Sequence, residues 1–176
     1  VTGVLEAIIF VVFPFAMVFA ALSDLLTMTI ANRVSLLLIA TFALVAPFTG
    51  MDMTTYGMHF AAGALVLVCG FIGFAAGGVG GGDAKLLTAT AVWCGFSDVL
   101  VEYLLYSAML GGWLTIAILA YRGSFIAEQA GARFEFLERI GRKDAGVPYG
   151  IALGIGGLIV SKDMPLMAWA LERAAG

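Results

Sequence analysis

Charge is scarce in this chain. Only 12% of its 176 residues are charged, while 62% are hydrophobic and the mean hydropathy is +1.04. Soluble domains carry about twice that share of charge, so the composition excludes an ordinary water-soluble domain and predicts a polytopic membrane protein. No stretch interleaves Lys or Arg with aromatics, which leaves nucleic-acid binding without support. Cysteine is nearly absent: Cys69 and Cys94 both lie in apolar runs and read as small buried hydrophobes. No Cys-x-x-Cys pair is present to build a zinc ribbon. The single histidine, His59, falls at the outer start of an apolar run. It therefore reads as interfacial and offers no Ser–His or Cys–His relay. Phosphate cradles are missing too, because Gly82-Asp83-Ala84 stands where a P-loop needs Gly-Lys-Ser/Thr, and no Gly-x-Gly-x-x-Gly occurs. The first apolar run has no basic flank before it and no small-residue cleavage signature after it. It reads as a retained span, not a secretory signal.

What the chain has is apolar runs. A spanning helix needs about 20 such residues. Residues 4–22 supply the first run, with a kink expected at Pro14. Residues 34–48 form a second, closed by Pro47 and Gly50. A third covers 58–76, with Gly63, Gly70, Gly73 and Gly77 along it, a density that permits close helix packing. Residues 86–97 reach only about 18 Å as a helix, so either the bilayer thins there or the preceding turn is sunk below the headgroups, and the second is the expectation adopted. Residues 103–121 and 147–160 complete the set, the latter opening with Pro148-Tyr149-Gly150, and the tail 163–174 is expected at the interface. Residues 122–146 break the pattern with mixed charge. There Phe134, Leu137 and Ile140 recur at helical spacing, which suits a surface amphipathic helix or a solvated connector. The expected fold is all-α: a single integral-membrane domain over 1–176, a helical bundle of about six transmembrane helices, with one cytoplasmic loop at 122–146.

Orientation follows from counting. With the N-terminus outside, the inner segments hold seven basic residues (Arg33, Lys85, Arg122, Arg133, Arg139, Arg142 and Lys143) and the outer ones two, Lys162 and Arg173. That is the positive-inside pattern. It also puts Asp24 and Asp83, each ending an outside-to-inside run, at the same cytoplasmic face.

The stretch Gly77-Gly78-Val79-Gly80-Gly81-Gly82-Asp83-Ala84-Lys85 sets five glycines in six positions before a carboxylate and an ammonium. A charge at bilayer depth costs on the order of 2.5–3.5 kcal/mol, which makes such an acid a functional candidate. Asp24 is its natural partner. Two adjacent carboxylates hydrolyse a peptide when one, ionised, takes a proton from water and the other, protonated, donates to the scissile carbonyl. Such a pair shares a proton and titrates in coupled steps, and within a membrane it is expected to work nearer neutrality than soluble acid peptidases. Gly80 and Gly82 would leave room for an extended substrate backbone. Lys85 would tune the carboxylates or bind lipid phosphate, and Asn32 would hydrogen-bond backbone near Asp24. The expected chemistry uses no metal and no cofactor. Two other readings compete: a small transporter or proton-coupled carrier using the same acids, and a non-catalytic component of a secretion assembly. Carriers place acids near the bilayer centre, whereas these end their runs at one face.

Asp24 followed by Ile30-Ala31-Asn32, then Gly80-Gly81-Gly82-Asp83-Ala84-Lys85-Leu86, then Pro148-Tyr149-Gly150, resembles the type IV prepilin peptidases. These belong to the wider Gly-x-Gly-Asp class of membrane aspartic proteases. Long members carry a zinc-bound methyltransferase domain between the first two spans, and the 23–33 segment has neither its cysteines nor its length. The resemblance is therefore to the short, peptidase-only form associated with Flp/tight-adherence pili. It implies Asp24 and Asp83 as the catalytic pair. The implied substrate is a Flp-type prepilin with a short basic leader, cleaved at the inner face of a bacterial cytoplasmic membrane among lipids and other pilus-assembly proteins.

Overall fold

Apolar runs in lipid become helices because no backbone N–H or C=O can be left unpaired there. The computed structural model describes residues 2–124, 135–142 and 145–175. Among them are eight α-helices and no strand: α1 (Thr2–Thr27), α2 (Asn32–Val45), α3 (Met53–Ala75), α4 (Gly81–Cys94), α5 (Asp98–Arg122), α6 (Glu135–Gly141), α7 (Gly150–Val160) and α8 (Pro165–Ala175). Four segments are long and apolar enough to cross a membrane: Gly3–Thr27, Asn32–Thr49, Met53–Ala75 and Asp98–Arg122. With the shorter α4 and α7 they make the helical membrane bundle of about six spans that the sequence predicts. α7 and α8 meet at a 50° bend, and α8 alone, about 16 Å long, is too short to cross. Of the charged loop, α6 covers Leu137 and Ile140. Glu128, Arg133, Phe134, Lys143 and Asp144 lie outside the described residues.

Five of the other helices pack against α4. Nine of its 14 residues are buried, and it packs against α2, α3, α5, α7 and α8. The α3 glycines serve this contact. A Cβ added at Gly70 would lie 3.1 Å from the Ala84 Cβ and 3.4 Å from its Cα, so only a glycine lets the two backbones come this close. At the far end of α4, Trp93 is fully buried. Its Nε1 donates to the Leu38 carbonyl at 3.0 Å, and its ring lies 4.9 Å from that of Phe13 and 6.1 Å from that of Phe42. One indole thus ties α1, α2 and α4 together, with its polar edge satisfied as burial requires.

Two expectations are corrected. His59 is not interfacial: it is 4% exposed, its Nδ1 lies 2.7 Å from the Val92 carbonyl, and its ring stacks near Phe42. Gly95 makes the space. Its φ of +65° breaks α4, and a Cβ there would sit 2.8 Å from the imidazole. Cys69 is exposed on the bundle surface, whereas Cys94 is buried, and both thiols are free.

α7 lies directly on the backbone of α1. A Cβ at Gly154 would come 2.7 Å from the Met17 carbonyl oxygen and 3.0 Å from the Ala21 Cβ. Gly154→Ala is therefore expected to destabilise the bundle by about 1–3 kcal/mol, the usual range for overpacking. A lowered melting temperature in detergent is the readout. An unchanged one would mean that α1 and α7 have slack between them.

Candidate active site

α1 ends at Thr27, and its terminus is fixed by hydroxyls. Thr27 Oγ1 donates to the Ser23 carbonyl at 2.7 Å, and Ser23 Oγ donates to the Thr29 carbonyl at 3.0 Å. Met28 takes φ +55° and its N–H bonds the Asp24 carbonyl at 2.8 Å. A left-handed non-glycine residue costs on the order of 1–3 kcal/mol and marks a turn that its surroundings over-determine. Here the turn holds Asp24 facing inward, one turn above the helix end, with only 5% of its surface exposed. Asp24 Oδ2 accepts a hydrogen bond of 2.7 Å from the backbone N–H of Gly150. Gly150 opens α7, so this donor is one of the N–H groups that a helix start leaves unpaired, and the helix dipole favours a carboxylate beside it.

Asp83 comes from the opposite direction. Gly80 is the N-cap of α4, in extended conformation, and Asp83 is the third helical residue. Its carboxylate folds back toward the Gly80 backbone N–H, the arrangement of a capping box. A Cβ on Gly80 would sit 2.5 Å from Asp83 Oδ2, so the glycine is what allows that fold-back. α1 and α4 run in opposite senses, and this brings the last turn of one beside the first turn of the other.

Both carboxylates line one cavity of about 830 Å³, within the size range of pockets that enclose small ligands. The glycine turn, through Gly77, Gly78 and Gly80, forms one side. Leu87, Leu104 and Leu153 make apolar walls, and Tyr149 and Ser107 complete the lining. Tyr149 has room because Gly111 on α5 faces its ring, and a Cβ there would overlap it. Gly146 and Val147 form the lip. Arg122 fixes that lip: its Nε donates to the Ile140 carbonyl and its Nη2 to those of Ala145 and Gly146, all at 2.8 Å. Arg139 Nη1 donates to the Leu26 carbonyl at 2.6 Å, which pins α6 to the end of α1.

Of the residues singled out from the sequence, the structure brings Asp24, Asp83 and Gly80 to this cavity. Gly82 is elsewhere. Its Cα faces Ile30, whose Cβ would be 3.2 Å from an added Cβ, so its small size serves packing of α4 against the 28–31 turn. Lys85 and Asn32 pair with each other, Nζ to Oδ1 at 2.8 Å. They stitch the first turns of α2 and α4 together at the exposed surface; Asn32 does not bond backbone near Asp24. Sequence reasoning gave no role to Gly150, Ser107 or Met28. A glycine opening an apolar helix after Pro-Tyr was the one available signal for the first; the other two carried none.

A family model described as the type IV leader peptidase family matches residues 11–121, which include both Asp24 and Asp83. No curated protein and no solved structure matches the chain. More than half of the 176 residues lie within the family match, and the chain belongs to the type IV leader peptidase family as a multi-pass membrane peptidase.

Proposed function

We propose that this peptidase is of the aspartic type and removes the leader of Flp-type prepilins, with Asp24 and Asp83 activating one shared water. The observation that carries the reading is the convergence of two carboxylates, from chain positions 24 and 83, on a single cavity at one end of the bundle. One carboxylate takes a proton from the water, and the resulting hydroxide attacks the scissile carbonyl carbon. The other, protonated, donates to the carbonyl oxygen. Collapse of the tetrahedral diol returns a proton to the leaving amine and breaks the C–N bond. The glycine turn admits an extended backbone, and the leucine walls suit the apolar residues that follow a pilin leader.

The short form is supported by the loop between the first two spans, where only residues 28–31 separate α1 from α2 and leave no room for an inserted domain. A cytoplasmic site is supported by charge. Arg33, Lys85, Arg122 and Arg139 are at the dyad end, against Lys162 and Arg173 beyond α7, the positive-inside arrangement for a bacterial inner-membrane protein with its N-terminus outside. The test is reconstitution into liposomes with a Flp-type prepilin, followed by mass analysis of the pilin. Release of the leader supports the reading. Intact pilin, together with proton or cation flux through the same vesicles, would favour a carrier instead.

A further inference from the structure

Four of the described residues take a left-handed backbone: Gly50, Gly77, Gly95 and Met28, the last at φ +55°. Glycine is the default wherever the chain must enter that region, because a Cβ is strained there. Met28 is the exception, and its place is specific. It lines the cavity that holds Asp24 and Asp83, as does Gly77. Two left-handed turns therefore border one cavity, one made with glycine and the other with methionine.

The conformation of Met28 is imposed from both sides. Its N–H bonds the Asp24 carbonyl at 2.8 Å, and Thr27 Oγ1 and Thr29 Oγ1 lie 2.8 Å apart around it. Beyond it, Ser23 Oγ holds the Thr29 carbonyl at 3.0 Å, and Ile30 is buried against Gly82. Glycine would make this turn with less strain, so what methionine adds is its side chain. The core does not use that side chain. Met17, Met51, Met164 and Met167 belong to the buried core or pack on it, whereas Met28, among the described residues, does neither and is only half-buried. A thioether on a cavity wall is unbranched and polarizable, and it adapts to apolar surfaces of differing shape.

Its depth indicates which part of a peptide it would meet. Met28 follows Asp24 by four residues, one helical turn further along and just past the end of α1. That is the end which the proposed topology puts at the cytoplasm. A peptide that crosses the dyad with its apolar part in the membrane has its leader on that side.

We propose that Met28 is a specificity-determining residue, its thioether packing against a substrate side chain on the leader side of the scissile bond. The proposal rests on the peptidase reading and adds to it an apolar preference next to the cut.

The experiment measures kcat and KM of the full chain on prepilin-like peptides carrying Leu or Ala at each of the two leader residues nearest the cut. The unaltered chain is compared with Met28→Gly, Met28→Asn and Met28→Leu. Glycine and asparagine both accept a left-handed backbone and both remove the apolar surface. In those variants the preference for Leu over Ala in kcat/KM is expected to fall roughly three- to tenfold at one of the two positions, mainly through KM. Met28→Leu keeps an apolar side chain and is expected to hold the preference within about twofold. Met28→Gly is expected to melt no lower than the unaltered chain, because it relieves the strained φ. A merely structural methionine would give the same melting with the preference intact. An unaltered chain without a Leu–Ala preference at either position, or a preference that survives in both Met28→Gly and Met28→Asn, overturns the proposal. The peptidase reading is judged separately by Asp83→Asn on the same peptides. Loss of cleavage there, with the preference unchanged in the Met28 variants, removes the Met28 role alone; retained cleavage removes the dyad beneath it.

Discussion

Asp24→Asn and Asp83→Asn are each expected to leave prepilin unprocessed, with kcat/KM reduced by at least about a hundredfold, the scale on which a general acid or base contributes. The substitution keeps the size of each side chain, and the structure shows why the fold should tolerate it. Asn at 24 still presents an oxygen to the Gly150 N–H, which Asp24 meets at 2.7 Å. Asn at 83 still reaches the Gly80 backbone from the third position of α4. What each loses is the ability to exchange a proton. Residues acting as a unit are not additive, so the double variant is expected to be no slower than either single one. The readout is pilin mobility on a gel after co-expression, with enzyme level in the membrane as control. Mature pilin in either single variant removes that residue from the mechanism.

Gly150→Ala is expected to cost the second-largest amount. The added Cβ would meet the Asp24 Cβ at 2.7 Å, Oδ2 at 2.9 Å and the Ile30 Cδ1 at 2.9 Å. None of these can yield easily, because Asp24 sits on the helical backbone of α1 and Ile30 is wedged against Gly82. Either the start of α7 retreats, breaking the N–H to Oδ2 bond, or Asp24 turns away from the cavity. A displacement of about 1 Å at a reacting group can lower a rate by about a hundredfold. A fall of roughly ten- to a hundredfold in kcat is therefore expected, with substrate binding less affected. The comparison with Gly154→Ala is informative, because that glycine packs on α1 one turn further from the carboxylates. It should lower stability while leaving more of the activity per folded molecule. Equal activity losses in the two variants would show that helix spacing, and not the aim of Asp24, is what matters.

The sequence made the helices legible because an apolar run of spanning length has only one way to satisfy its backbone in lipid. It also showed α4 as too short for an ordinary span. It did not show that α4 packs against five other helices, since both surface and core of a membrane protein are apolar and hydropathy cannot tell them apart. His59 shows the same limit. Its position at the start of a span suggested the interface, but the left-handed break at Gly95 and the Val92 carbonyl draw it inward. Asp24 and Asp83 were visible because acids are rare in such a chain. The groups that hold them were less so. The Gly150 donor is 126 residues from Asp24, and the Lys85–Asn32 pair spans 53 residues, separations that no local pattern encodes. Gly82 could be seen as special but not for which reason, because a missing Cβ makes room equally for a substrate or for Ile30.

The most direct test of two acids acting on one water is the dependence of kcat/KM on pH, measured on the purified wild-type peptidase with a prepilin-like peptide. A pair that works with one carboxyl protonated and the other ionised gives a bell, falling on the acid side when both are protonated and on the alkaline side when both are ionised. That two-limbed profile is the predicted result. A profile with a single limb, or a plateau extending through the acid range, would contradict the shared-proton pair and with it the mechanism set out above.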